Sequence, residues 1–484
     1  MARKTSAQVA LYDQRPTKEP KDESKRRRFL RWLKAKIGIH RHSTSMNEEE
    51  PQHDDSARVL SKASSLGLTD SFISSEHRVH VIIIGAGIGG LCLAQGLKKH
   101  GIPFTVFERD PTSNFRSQGY RLRVNADGYA ALKANLFHED FEVFLRAAGH
   151  FQPGYQYVDA ESGLEAPASA RPFSKPGMNT SNVFSVDRAM LRTLLLTDLN
   201  EHEIQYGHTF KRYEVLANGR VEVTFENGRV IEGSVLIGAE GTTSRIRRQY
   251  IPKSATLLDT DSGAIYGKTP ITPDIEAFFA TENTTMAMGG SPKLCLVMEP
   301  LCSTDVNKTE FAEVSSSLSG FPDLENYICW VLFGRADSFQ LSDDVDSDPF
   351  MMNPSQVAAL SCQMTSHWAP QVRQVLEQQA PEWCSFLRIS TTSPHISGWE
   401  PSVVTLLGDA VHTMVPAGIG CNTALRDAQM LVQFFKEHGV GLKAIAAYER
   451  KMREYGSENI ATSLEAGKKM FNLPPVDQML LVVH

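Results

Sequence analysis

The chain has 484 residues, 41% of them hydrophobic and 22% charged, with a formal net charge of −6. That length admits more than one domain and a large core, and the negative balance argues against general nucleic-acid binding. Seven scattered cysteines without a CxxC pair argue against a disulfide scaffold or a zinc site. No apolar run reaches the ~20 residues of a membrane span, and the N-terminus lacks the ~7–15-residue apolar core of a signal peptide. The expected location is cytoplasmic.

Residues 1–77 are charged, Ser-rich and poor in apolar side chains, so they read as a disordered arm. Within it, Lys25-Arg26-Arg27-Arg28 precede Phe29, Leu30, Leu33 and Ile37, which share one face at helical spacing. Three readings stand: a solvated tail, peripheral membrane contact through residues 25–39, or a basic address signal. Ser56 to Ser75 reads as a linker.

Val79 to Ile84 is a β-branched run suited to a buried parallel strand. Gly85, Gly87 and Gly90 follow at GxGxxG spacing. Such glycines permit a tight turn, approach of backbone to a pyrophosphate, and close packing of the next helix on the strand. Leu91 to Leu97 continues as that helix, whose N-terminus faces phosphates with free N–H groups. Phe104 to Phe107 reads as the second strand. Glu108 ends it at the spacing of an acid that binds ribose hydroxyls. Together these predict an adenine-dinucleotide site.

Further on, Gly119 to Val124 places Arg121 and Arg123 on a strand, before a helix start at Asn125-Ala126-Asp127-Gly128. Asp187 precedes Arg188 as a helix cap. Val235-Leu236-Ile237 is a strand leading into Gly238-Ala239-Glu240-Gly241, with Thr242, Thr243 and Ser244 as caps of the next helix. Leu294 to Met298 and Tyr327 to Phe333 read as strands of a second layer. Met286, Met288, Met298, Trp330 and Phe333 are apolar pocket candidates, each equally readable as sheet core. Val403 to Leu407 is a strand closed by Gly408-Asp409. The loop Pro416 to Gly420 then leads to a helix from Asn422. The last helical pattern runs to about Lys469, with Gly467 near its end as the candidate stop, before the apolar tail Met479 to Val483.

Three of these segments, in order and spacing, resemble the flavoprotein monooxygenases of the salicylate-hydroxylase and para-hydroxybenzoate-hydroxylase type. They are Val79–Glu108, Val235–Arg245 and Leu406–Asn422, and the resemblance covers residues 78–465. It implies an α/β fold (α+β overall), a Rossmann-like FAD-binding domain with an inserted antiparallel-sheet substrate domain. The FAD domain is expected at 78–150, 186–255 and 397–465, the substrate domain at 151–185 and 256–396, and a tail at 466–484.

By the same resemblance FAD is the cofactor, NADPH or NADH the electron donor, and no metal is needed. Gly85, Gly87, Gly90 and Glu108 would form its first wall. Arg188, in a DRxxLR-like helix start, would reach the ribityl-phosphate region. Arg121 or Arg123 would meet flavin, substrate or NADPH phosphate, or stay on the surface. Glu240 stands where the family's GADGxxSxVR motif has aspartate, which puts cofactor geometry there in question. Gly408 and Asp409 would meet the ribityl hydroxyls. Pro416, Gly418, Gly420 and Asn422 would lie beside the ring, with the helix N-terminus at its pyrimidine edge. His412 reads as packing, and Cys421 as small filler.

The implied reaction uses O2 and a flavin C4a-hydroperoxide to hydroxylate an aromatic substrate or epoxidise a polyene or terpenoid alkene. A reductase or dehydrogenase without oxygen transfer is the alternative, followed by a non-catalytic flavoprotein with a partner- or membrane-binding arm. No WxWxIP run supports a halogenase.

Overall fold

Val81–Ile84 form β1, and every side chain in it is buried, as a strand covered on both faces requires. The computed structural model describes residues 79–113, 120–150, 155–171, 183–254, 256–278, 284–301, 326–339 and 352–482. The basic segment at 25–39 and the linker at 56–75 lie outside them.

In chain order the further strands begin with β2 (Phe104–Phe107), β3 (Arg121–Val124), β4 (Gly149–His150), β5 (Tyr155–Asp159) and β6 (Phe184–Asp187). Then come β7 (Ile204–Gln205), β8 (Phe210–Val215), β9 (Val221–Phe225), β10 (Val230–Gly233) and β11 (Val235–Gly238). The second half holds β12 (Leu257–Pro270), β13 (Thr284–Met288), β14 (Cys295–Leu301), β15 (Tyr327–Arg335) and β16 (Ser385–Thr392). Last are β17 (Val404–Leu406) and β18 (Leu480–Leu481).

Among the described residues, β17-β11-β1-β2-β7 make a parallel five-stranded sheet. A seven-stranded sheet runs β16-β12-β15-β14-β13-β5, with β18 added beside β12. It is antiparallel except where β5 lies parallel to β13. Two small sheets, β10-β9-β8 and β3-β6-β4, complete the set. The fold class is therefore the expected one: a Rossmann-like parallel sheet beside an antiparallel sheet.

Ile88–Lys99 follows the glycine turn as a helix with ten buried residues. The Gly420–His438 helix packs against it and against the helices Ala126–Asn135 and Leu442–Phe471. That helix starts at Gly420, two residues before the expected Asn422. The last helix ends close to the expected Lys469, but Gly467 is not its stop. It runs through Gly467 to Phe471 and ends on Asn472 in a left-handed conformation, which Asn tolerates without glycine. Gly467 is instead a packing position: a Cβ there would sit 3.1 Å from both Val415 and Leu473.

Period-two alternation divides the seven-stranded sheet. Met286, Met288, Cys295 and Phe333 join the large core shared with the parallel sheet. Ala287, Leu296, Met298, Trp330 and Leu332 face a second core with Val372, Val375 and Leu376 of the helix Pro370–Glu377. Met298 and Trp330 are thus core rather than pocket, because neighbouring positions on a strand point to opposite faces.

Two polar joints lock the layers. Lys268 of β12 pairs with Asp187 at the end of β6 at 2.8 Å, and Tyr327 of β15 donates to the same carboxylate at 2.7 Å. All three side chains are buried, so removing one partner leaves a costly unpaired group.

Candidate active site

The glycine turn is built by close contacts. A Cβ at Gly90 would lie 2.2 Å from the Gly85 carbonyl, so only glycine lets the helix start this near the strand. Gly87 is different, since a Cβ there would meet nothing within 4 Å and would project into open space. Glu108 folds back over the turn: its carboxylate accepts from Ala86 N–H at 2.7 Å and from Asp110 N–H at 3.0 Å. A carboxylate has about four acceptor positions, so capacity remains for ribose hydroxyls.

These residues open onto a cavity of about 1520 Å³. A single small-molecule pocket usually takes about 300–1,000 Å³, so this one has room for a large cofactor and a second compound. Its wall includes Gly85, Gly87, Gly90, Glu108, Arg121, Arg123, Arg188, Glu240, Gly408, Asp409, Pro416, Gly418 and Gly420. Segments more than 300 residues apart in the chain therefore meet around one space.

Asn422 is absent from that wall. Its buried amide donates to the Arg123 carbonyl at 2.7 Å and the Gly418 carbonyl at 2.9 Å, and accepts from Asn125 N–H at 2.9 Å. It ties the Pro416–Gly420 loop to β3, and so acts on the cavity through its neighbours. The amide is fully spent on backbone partners, which is why it is not turned to the cavity.

Glu240 lines the cavity but spends its carboxylate on the next helix. It accepts from Ser244 Oγ at 2.6 Å, Ile246 N–H at 3.1 Å and Arg245 N–H at 3.3 Å. Ser244 is the N-cap and accepts from Arg247 N–H. Burial pushes the Glu240 pKa up against these hydrogen bonds. Arg247 was not singled out by the sequence. Its buried guanidinium reaches the carbonyls of Thr242 at 2.6 Å, Ala410 at 3.1 Å and Asp409 at 3.4 Å, joining the second wall to the third.

Asp409 opens into the cavity beside Gly408, which has a φ of 62°. Enclosure by protein pushes its pKa up, opposed by His412, Arg188 and Arg247. Behind it, Asp427 accepts from Gly408 N–H at 2.7 Å, binds His412 Nε2 at 2.6 Å and accepts from Tyr455 at 2.6 Å. Burial works to lower the His412 pKa, but Asp427 overcomes it and raises it. His412 and Asp427 are both fully buried, and neither lines the cavity. His412 is thus packing and support for the turn. Burial raises the Cys421 thiol to about 12, which fits filler rather than a reactive thiol.

Arg188 lies over the Tyr120 ring at 5.4 Å. Arg192, one turn later, donates to the Ala86 carbonyl at 3.2 Å and the Ser113 carbonyl at 2.5 Å. The sequence reading chose only Arg188, although both arginines stand in the same helical start. It also missed Glu299, a lone acid in an apolar strand, which pairs with both Arg121 and Arg123. Of the apolar candidates, Met286 and Phe333 line the cavity and Met288 does not.

Among the described residues no cluster of three or more His, Cys, Asp or Glu side chains could hold a metal ion, and no helix is long and apolar enough to cross a membrane.

Residues 83–146 match the family model of the NAD(P)-binding Rossmann-like domain. A solved structure described as an FAD-containing monooxygenase of Photorhabdus luminescens is 31% identical, with a TM-score of 0.65. The match covers 81% of this chain and 98% of that one. The chain belongs to the FAD-dependent monooxygenases. Within this family, a dual O-methyltransferase/FAD-dependent monooxygenase of Phaeosphaeria nodorum is 35% identical over 81% of this chain and 46% of its own length. An FAD-dependent monooxygenase of Penicillium herquei is 26% identical over 81% of this chain and 91% of its own length. The chain thus spans about half the length of the first of these curated relatives.

Proposed function

We propose that this chain is an FAD-dependent monooxygenase that uses NADPH or NADH and O2 to oxygenate a small aromatic substrate. The observation that carries the reading is the single cavity that joins a glycine-and-acid cradle to an apolar patch of the seven-stranded sheet. The cradle fits an adenine dinucleotide: Gly87 leaves space where any side chain would stand, and Glu108 is fixed at the end of β2. Bound there, FAD supplies electron transfer and oxygen activation.

The chain's own residues bind, orient and exclude water. The free N–H groups at the start of the Ile88–Lys99 helix would hold the pyrophosphate. Glu108 would receive ribose hydroxyls, while Arg188 and Asp409 would meet the ribityl and phosphate region. The loop Pro416–Gly420 and the N-terminus of the Gly420–His438 helix would hold the ring of FAD, and the positive end of the helix dipole would stabilise negative charge there. Met286, Val297, Val331, Phe333 and Leu387 form the apolar wall of the substrate side. We assign 78–150, 186–255 and 397–465 to the FAD-binding part, and 151–185 with 256–396 to the substrate part. For residues 25–39 the solvated tail is the first reading and peripheral membrane contact the second, and sedimentation with anionic vesicles distinguishes them.

The test is NAD(P)H oxidation by the FAD-loaded protein under labelled O2, with a panel of phenols, polyketide aromatics and terpenoid alkenes. Substrate-stimulated oxidation with one labelled oxygen in the product is the expected result. Flavin reduction that leaves the product unlabelled overturns the reading in favour of a reductase or dehydrogenase.

A further inference from the structure

On the substrate side of the cavity, Arg121 and Arg123 of β3 converge on Glu299 of β14. The Arg121 side chain is only 6% exposed, and those of Arg123 and Glu299 are 15% and 16% exposed. Glu299 also accepts from Thr284 Oγ1 at 2.8 Å, and Arg123 donates to the Tyr155 hydroxyl at 3.0 Å. Burial alone would raise the Glu299 pKa, but the two guanidiniums overcome it and hold the group at about 2. Two guanidinium charges against one carboxylate leave one net positive charge on this group of three.

Arg123 is held further by the Tyr155 and Thr284 hydroxyls, whereas Arg121 meets Glu299 without such help. The Arg121 Nη1 is taken by Glu299, while its buried Nε has no hydrogen-bond partner. Burial, reinforced by Arg123, lowers its pKa against the pull of Glu299. Glu299 is shared between two buried cations, and a second buried cation is costly without a further counter-ion. Arg121 and Arg123 stand on the small β3-β6-β4 sheet and Glu299 on the seven-stranded sheet, whereas the glycine cradle for phosphates stands on the parallel one. Around the triad the wall carries Met286, Val297, Val331 and Phe333. These surroundings suit the flat body of an aromatic compound, not a hydrated phosphate.

Building on the functional reading above, we propose that the Arg121–Glu299–Arg123 triad is a substrate subsite for an aromatic compound bearing one anionic oxygen function. A guanidinium presents planar N–H pairs that match such a group. Glu299 neutralises the second arginine, so the subsite selects one negative charge rather than two. It also separates the roles of these arginines from that of Arg188, which lies on the cofactor side.

The experiment uses the full chain loaded with FAD and follows the flavin absorption spectrum during titration. Naphthoate is compared with its methyl ester, and naphthol with its methyl ether; the first pair reports a carboxylate and the second an ionised phenol. One acid is expected to bind about tenfold or more tighter than its neutral partner, the effect of a charge-assisted hydrogen bond. Arg121→Gln should abolish that preference while flavin content stays the same. Glu299→Gln, which keeps the side-chain shape and exposes a second positive charge, should enlarge it. Equal binding of acid and neutral partner, or no binding of either, overturns the proposal. So does a preference that survives Arg121→Gln, or one that stays level or falls in Glu299→Gln. An acid preference in a protein that transfers no labelled oxygen overturns the monooxygenase reading and leaves the subsite standing.

Discussion

Single carboxyl groups set measurable properties of this protein, one open to the cavity and one buried away from it. Asp409→Ala removes an acceptor from the cavity while leaving its backbone turn held by Asp427. The variant should fold and bind FAD about tenfold or more weakly, as measured by flavin retained through gel filtration. Full flavin content with normal turnover would remove Asp409 from the site. A second carboxyl, Glu449, lies away from the cavity and is fully buried. Its Oε1 accepts from Thr405 at 2.8 Å and Tyr250 at 3.3 Å, and its Oε2 has no partner. Burial raises its pKa from 4.5 to about 7. The folded state therefore binds a proton that the unfolded state releases between these values. The stability this contributes is full below about 4.5 and lost as pH rises through about 7. Glu449→Gln keeps both accepted bonds and never ionises. It should stabilise the protein at pH ~8 by on the order of 1–3 kcal/mol and change little at pH ~5. Urea unfolding at both pH values checks this, and an equal effect at the two would refute it. Neither partner of Glu449 is legible from its place in the sequence, because burial and neighbours arise only on folding.

At the scale of one element, the strand–turn–helix from Val81 to Lys99 separates two kinds of glycine. Gly90→Ala drives a Cβ to 2.2 Å from a backbone carbonyl, which cannot move without shifting the strand. It should lower the melting temperature of the FAD-free protein. Gly87→Ala meets no protein atom and should leave that temperature unchanged, yet weaken FAD binding because the methyl enters the cradle. Thermal unfolding with and without FAD distinguishes them, and identical behaviour of the two variants would refute the assignment. This element was legible because local rules agree: a β-branched run, glycines at required positions and an acid after the next strand. Gly467 shows the opposite case. Its place near a helix end suggested a stop, but close packing on Val415 accounts for it, and Asn472 ends the helix.

For the whole molecule, the cavity joins both large sheets, so a ligand that fills it stabilises all of its walls together. FAD at 100 times its dissociation constant should add about 2.7 kcal/mol to stability and raise the melting temperature by a few degrees. The described core starts at Val79 and includes every proposed cofactor residue. Deleting residues 1–70 should therefore leave this FAD-dependent shift intact, and its loss would place the arm in the core. The tail makes a different connection: Leu480–Leu481 return to pair with Leu258 and Asp259 of β12.

By itself the sequence determined the dinucleotide turn, the three wall segments, the two-layer fold class and most residues that meet in the cavity. These depend on backbone conformation and short-range periodicity, which a few residue types specify locally. Tertiary structure alone decided the rest. It turned Asn422 onto β3 and Glu240 onto a helix start, and set Asp427 behind Gly408. It sent Met298 and Trp330 to the far face of their sheet and brought Glu299 between Arg121 and Arg123. Each of these depends on strand register or on contacts between distant segments, and a charged or polar side chain takes its role from the partner that folding supplies.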